Sequence, residues 1–391
     1  MMLGFLLARA GVDVVILEKH ADFLRDFRGD TIHPSTLELM YELGLLAEFL
    51  KRPHQQVTQL GAEIANHPVR LADFSHLPTH CKFLALMPQW DFLNFLVEQG
   101  KRYSGFHVLM QTEAVGLLEE NGRVVGVKTK TVNGEMEIRA ALTVGADGRS
   151  SLVRDRSGLE VIDLGAPMDI VWFRMSRHGS DPPQTLGYTQ SGKILVMINR
   201  EDYWQSGYVI AKGAFDEIRN QGIENFRREL ADLVPFLSDR VSELRDWKDV
   251  SLLTVKVDRL RKWWRPGLLC IGDAAHAMSP IGGVGINLAI QDAVGAANIL
   301  APKLSANQLT DRDLEAVQKR RELPTRVTQK VQVLIQNNVI GRVLASDHAL
   351  SVPWPIKLLQ VWPALRRIPA RAIGMGFRPE HIRTPENLPH L

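Results

Sequence analysis

Leu268-Leu269-Cys270-Ile271-Gly272-Asp273-Ala274-Ala275-His276 runs on, after two residues, into Ser279-Pro280-Ile281-Gly282-Gly283-Val284-Gly285-Ile286-Asn287. The four apolar residues at the start read as a buried strand, Gly272-Asp273 as the turn that ends it, and the glycines as a loop opening a helix. Gly282, Gly283 and Gly285 carry no Cβ, so their backbone lets a planar ligand come close. A helix opening near Ile286 aims unpaired N–H groups and the positive end of its dipole at that ligand. The stretch predicts a strand, acidic turn, glycine loop and helix, arranged to stabilise a ring system that gains negative charge.

A second segment has the same character. Gly145-Ala146-Asp147-Gly148-Arg149-Ser150-Ser151-Leu152-Val153-Arg154 follows the short apolar strand Leu142-Thr143-Val144. Asp147 can accept from a ribose hydroxyl, and Arg149 and Arg154 offer bidentate donors to a phosphate or a carboxylate.

Working outward to the start of the chain, residues 3–10 read as the end of a helix stopped by Gly11. Val12 to Leu17 then reads as a strand closing on Glu18. An acidic residue at the end of a second strand, about 20 residues past a glycine turn, holds ribose hydroxyls in dinucleotide-binding folds. Counting back from Glu18 puts the G-x-G-x-x-G turn and its strand upstream of Met1, outside this sequence. Downstream, Arg28-Gly29-Asp30 precedes a helix opening at Pro34 or Ser35 and ending near Gly44, and Pro88-Gln89-Trp90-Asp91 opens another helix. Asn121-Gly122 and Asn133-Gly134 are expected hairpin turns. From about 166 to 256 a period of two predicts an antiparallel sheet with one covering helix near 213–243, and residues 50–86 can lend it strands. After Gly283 the chain turns helical, with Pro353, Pro355, Pro363 and Pro369 cutting its last part into short pieces.

The D-G-x-x-S-x-x-R segment at Asp147, followed by G-D-A-A-H at Gly272 and P-x-x-G-x-G-x-N at Pro280, resembles the single-component flavin monooxygenases, with para-hydroxybenzoate hydroxylase as their type. The resemblance covers nearly the whole chain. It implies an α/β fold: an FAD-binding Rossmann-like domain of the glutathione-reductase type, formed by 1–165 and 257–340. An antiparallel-sheet substrate domain (166–256) is inserted in it, and a helical tail (341–391) follows. It further implies that Glu18 binds the adenosine ribose, Arg28 and Gln89 the pyrophosphate region, and Asp273, with Gly272, the ribityl chain or pyrophosphate. Pro280 would lie by the reactive carbon of the flavin, beside Gly282, Gly283 and Gly285, with the N–H groups of Ile286 and Asn287 facing the pyrimidine carbonyl. Asp147, Gly148 and Arg154 would serve both FAD and the nicotinamide coenzyme. The implied reaction is hydroxylation of an aromatic or polycyclic phenol-like substrate: NAD(P)H reduces FAD, O₂ forms a flavin hydroperoxide, and its distal oxygen passes to the ring.

Each residue also has a plainer reading. Glu18 reads as a solvated strand end, Arg28 as a loop charge, Asp273 as a turn cap with His276 behind it, and the Asp147 segment as an ion-paired surface turn. Trp172, Phe173, Tyr188, Trp204 and Tyr208 sit at strand spacing, which suits sheet core as well as a substrate wall. Rival functions are a halogenase or isoprenoid reductase of the same fold, and a non-catalytic relative that does not hold FAD. No W-x-W-x-I-P segment of the tryptophan-halogenase kind is present.

At 391 residues the chain exceeds one ordinary core, so two interleaved domains are expected. With 45% hydrophobic and 23% charged residues it has a globular composition, and a net charge of +3 gives no case for nucleic acid. Two cysteines, Cys81 and Cys270, exclude a disulfide framework and a cysteine metal site. No positive segment precedes the apolar start and no apolar run of about 20 residues is evident, so a cytoplasmic protein without membrane contact is expected. The basic, aromatic section with Lys357, Trp362, Arg366, Arg367 and Arg371 reads as a tail on the flavin domain. Its alternative reading is an acidic-membrane contact. Oligomeric state is not fixed by any motif.

Overall fold

The structure is a computed structural model, described here over residues 1–24, 31–65, 67–182, 186–190, 192–346 and 351–387. Helix Met2–Arg9 is buried along almost its whole length. It ends where Gly11 takes a positive φ of 82°, and packs on the long helix Gly285–Ser305 and on Gln89–Gly100. Strand Val14–Leu17 pairs in parallel with Phe106–Leu109, Val14 opposite Phe106. A second parallel pair joins Thr143–Gly145 to Leu268–Cys270, with Gly145 opposite Cys270. Parallel neighbours need long crossovers, which is why these strands lie far apart in sequence. A meander of Glu113–Glu120, Arg123–Thr131 and Gly134–Arg139 follows the expected hairpins. Its first turn has Asn121 and Gly122 both at positive φ, 49° and 76°.

The large sheet has seven strands in the order Val250–Leu253, Met168–Ser176, Tyr203–Ala211, Lys193–Asn199, Leu186–Gln190, Gln59–Ile64, His67–Asp73. The last two come from early in the chain, joined by a parallel pairing of Tyr188 with Glu63. Alternation along Met168–Ser176 sends Val171, Phe173 and Met175 to one face, under helix Ile223–Leu233. Met168 and Ile170 go to the other face, where they join Val209, Val255 and Val257. The covering helix is shorter than the sequence suggests. Gly222, at φ 89°, separates Phe215–Asn220 from Ile223–Leu233, and 3₁₀ turns complete the segment.

The expectation that no apolar run is long enough to span a bilayer needs correction. Ile281–Ser305 is long and apolar enough, but 67% of its most apolar stretch is buried, and it forms the spine of the main core. Its apolar residues are those of an interior helix; of its two charges, Asp292 is fully buried and Lys303 lies in the last turn.

Candidate active site

The register Gly145–Cys270 places the Asp147 and Gly272-Asp273 turns side by side, beyond the C-terminal ends of two neighbouring parallel strands. In open α/β sheets that is where ligands bind. Asp147 turns inward on its own loop: it accepts from Ser151 Oγ and from the Val153 N–H at 3.2 Å. Ser151 in turn caps helix Leu152–Ser157 through the Arg154 N–H at 2.9 Å. Gly148, at φ 85°, bends the loop. Arg154 is buried and donates to Asp258 at 3.1 Å and to the Arg149 carbonyl at 2.9 Å. Asp147 and Arg154 therefore build the loop that delivers Arg149, whose guanidinium lies 3.6 Å from the Asp273 carboxylate.

Burial pushes the Asp273 carboxyl up from its ordinary range, and Arg149 opposes that. Arg149 Nη1 is buried with no hydrogen-bond partner. Burial, with the Asp147 carboxylate adding to it, pushes the Cys270 thiol up to about 12, so this cysteine is a packing residue.

The glycine loop is held from three sides. Gly282 and Gly283 have φ of 76° and 61°, which favours glycine. A Cβ on Gly283 would lie 2.2 Å from Thr31 Oγ1, so strand Thr31–Ile32 approaches the loop as closely as backbone allows. Thr31 Oγ1 donates to the Gly283 carbonyl at 3.1 Å. The Asn287 side chain ties the helix start to this segment. Its Oδ1 accepts from the His33 N–H and Thr36 Oγ1, and its Nδ2 donates to the Thr31 carbonyl. From the other side Gln332 accepts from the Ser279 N–H at 3.2 Å and donates to the Ser279 and Ile281 carbonyls. A Cβ on Gly285 would come 4.0 Å from Asp273 Oδ1, so the first turn of Gly285–Ser305 lies against the acidic turn. The first N–H groups of that helix, Ile286 and Asn287 among them, have no acceptor within the helix. Pro280 leads into this loop as the N-cap of Ile281–Gly283.

Behind the acidic turn stands a buried ion network. Asp292 Oδ2 accepts from the Gly272 N–H at 3.1 Å and contacts His276 Nε2 at 2.5 Å, while its Oδ1 accepts from Arg321 Nε at 2.9 Å. Arg321 reaches on to Glu380, which Arg320 also binds. His276 thus has the structural role of a buried partner. Asp292, Arg321, Gln332 and Thr31 were missed by the sequence reading, although Asp292 is the lone charge in the apolar run Ile286–Leu300 and carried a signal.

The other predicted residues lie elsewhere. Glu18 ends Val14–Leu17 and accepts from the His20 N–H at 3.0 Å, and Gln89 opens helix Gln89–Gly100. Arg28 lies outside the described residues. Of the five candidate aromatics, Phe173, Trp204, Tyr208 and Tyr188 pack on the helix side of the sheet, while Trp172 packs on the opposite face, with Ile281 of the glycine loop. Among the described residues no group of His, Cys, Asp and Glu is placed to hold a metal ion.

The FAD binding domain family matches residues 1–331. The chain is also 32% identical over 389 residues to 6-methylpretetramide 4-monooxygenase of Streptomyces rimosus, covering 98% of this chain and 91% of that relative. It belongs to the FAD-dependent monooxygenases. A second relative is the digeranylgeranylglycerophospholipid reductase of Thermoplasma volcanium, 30% identical over 217 residues, 52% of each chain. Further curated relatives are matched over 53% to 67% of their length. In fold the chain is similar to PqsL, a probable FAD-dependent monooxygenase from Pseudomonas aeruginosa. The TM-score is 0.73 at 21% identity, covering 88% of this chain and 94% of that one. As a monooxygenase of this family the protein uses FAD and NAD(P)H. The donor set fits the flavin: an unpartnered buried Arg149 nitrogen beside a carboxylate, with the helix start at Gly285 lying against that carboxylate.

Proposed function

We propose that the protein hydroxylates a polycyclic, phenol-like aromatic substrate lying between the glycine loop and the apolar face of the large sheet. The observation that carries this is Ile281: it packs with Met168, Ile170, Val209, Val255 and Val257, so loop and sheet face share one apolar layer. The name of the 32%-identical relative, a monooxygenase of 6-methylpretetramide, supports a polycyclic substrate.

FAD, when bound, supplies the transfer of two electrons from NAD(P)H and the activation of O₂. Asp273 and Arg149 hold the ribityl chain, Gly272 and Gly285 keep room for it, and Asp147, Gly148 and Arg154 hold Arg149 in place. Gly282 and Gly283 open the loop to a flat ring, with Pro280 beside it. The Ile286 and Asn287 N–H groups stabilise negative charge where it develops, as preorganised dipoles do at low dielectric. Glu18 takes the adenosine ribose, and Gln89, with Arg28, the pyrophosphate. The apolar layer around Ile281 keeps water out, and dryness is what separates productive oxygen transfer from release of hydrogen peroxide.

The test is oxidation of NAD(P)H by the FAD-loaded enzyme under ¹⁸O₂ with polycyclic phenols. One labelled oxygen atom in the product is expected. An isoprenoid reductase reading, supported by the half-chain match to a lipid reductase, predicts reduction of an alkene with no oxygen incorporated. That result would replace the proposal.

A further inference from the structure

Between Ser351 and Pro379 the chain has Lys357, Arg366, Arg367, Arg371 and Arg378 and no Asp or Glu. This section forms three consecutive pieces: helix Trp354–Val361, the 3₁₀ turn Pro363–Arg366 and helix Arg367–Gly374. All three lie against strand His67–Asp73, the edge of the large sheet. Gln360 seals that edge, accepting from the Arg70 N–H at 3.0 Å and donating to the Arg70 carbonyl at 2.9 Å. Ala370 and Gly374 are buried beneath. Arg366 is turned inward, donating to the Leu359 carbonyl at 2.8 Å. The outer side is different. Trp354, Val361, Ile368 and Trp362 are 76%, 70%, 67% and 60% exposed. Lys357, Arg367, Arg371 and Arg378 are exposed among them.

Trp354, Lys357 and Val361 follow a helical i, i+3, i+7 spacing, so one face of the first helix carries aromatic, basic and aliphatic groups together. Burying four large apolar side chains at an interface is favourable, and leaving them in water is not. We propose that this face is a docking surface for an anionic lipid membrane, lying in the headgroup plane with its two tryptophans at the boundary. Charge complementarity selects this occupant. A two-fold pairing of the same face would set cation against cation, and a polyanion without an apolar layer would leave Val361 and Ile368 in water. Tryptophans at headgroup level with basic residues around them are what an interfacial helix requires.

The experiment is flotation of the full chain with vesicles of phosphatidylcholine alone, or of phosphatidylcholine mixed with phosphatidylglycerol. The protein is expected to float only with the second, and to be released in molar salt, where the screening length falls to about 3 Å. Arg367→Ala with Arg371→Ala weakens that partition about 25-fold, roughly fivefold per charge. Trp354→Ser with Trp362→Ser abolishes flotation while leaving thermal unfolding unchanged, because both side chains stand clear of the fold. Failure to float with either lipid overturns the proposal, and so does flotation of the tryptophan pair variant at the parent level. A shift of that variant from dimer to monomer in sedimentation, with no lipid binding by the parent, assigns the face to a second copy and overturns it equally.

Discussion

At the scale of single residues, Asp273, Asp292 and His33 each give a measurable expectation. Asp273→Ala removes a charged acceptor beside Arg149. A hydrogen bond to a charged group contributes about 1.5–3 kcal/mol, so FAD should bind roughly tenfold to a hundredfold more weakly. Titration of the apoprotein, followed by flavin fluorescence, measures this, and an unchanged affinity would remove Asp273 from the site. Asp292→Ala takes the carboxylate from His276 and leaves Arg321 with Glu380 alone, and breaking a buried ion pair from one side costs about 3–5 kcal/mol. A large fall in thermal midpoint is expected, and a midpoint close to the parent's would mean that the network is slack. Burial works to raise the Asp292 carboxyl, but His276 and Arg321 outweigh it and hold the group below its usual range.

His33 gives the pH dependence. Burial lowers its pKa to about 4 from 6.5, against the Ile373 carbonyl, which its Nδ1 meets at 2.8 Å. The folded state therefore keeps the ring neutral while the unfolded chain takes up a proton below about pH 6.5, so stability falls as pH drops from about 6.5 to about 4. The shift corresponds to about 3 kcal/mol over that window. Chemical denaturation of the parent and of His33→Asn at several pH values should show a steeper acid loss in the parent. Parallel curves would contradict it.

At the scale of elements, the glycine loop separates conformation from contact. Both Gly282 and Gly283 hold positive φ, but a Cβ on Gly282 meets only ordinary neighbours at 3.6 Å, whereas on Gly283 it meets Thr31 Oγ1 at 2.2 Å. Gly282→Ala should cost about 1 kcal/mol, the ordinary cost of a left-handed residue. Gly283→Ala should cost clearly more and also loosen FAD, because strand Thr31–Ile32 must retreat from the loop. Equal losses in the two variants would mean that the contact with Thr31 carries no constraint.

Elements also show what a sequence can and cannot display. The strand before Gly272, the Asn121-Gly122 hairpin and the period of two in Met168–Ser176 are local patterns, set by glycine conformation and side-chain alternation, and they were legible. The pairing of Tyr188 with Glu63 and the bond from Thr31 to Gly283 join residues more than a hundred positions apart. No local propensity encodes them. Arg154 was read as a donor to a phosphate or a carboxylate; which carboxylate could not be read, since Asp258 lies 104 residues away.

At the scale of the whole molecule, the order of the Asp147 and Gly272-Asp273 segments announced the family, and the parallel register of Gly145 with Cys270 explains why both are needed: each ends a strand at the same rim. Which aromatics face the glycine loop could not be read, since alternation gives two faces and only the packing of Ile223–Leu233 tells which one is covered. The position proposed for FAD is at this rim, held by Asp273 with Arg149 and by the loop from Pro280 to Asn287. Its most direct test is the visible absorption of the purified chain titrated with FAD, for the parent and for Asp273→Ala with Gly283→Ala. A saturable, structured flavin spectrum is expected in the parent, and its loss in the double variant. A parent that binds no flavin, or a double variant that binds it equally well, would contradict it.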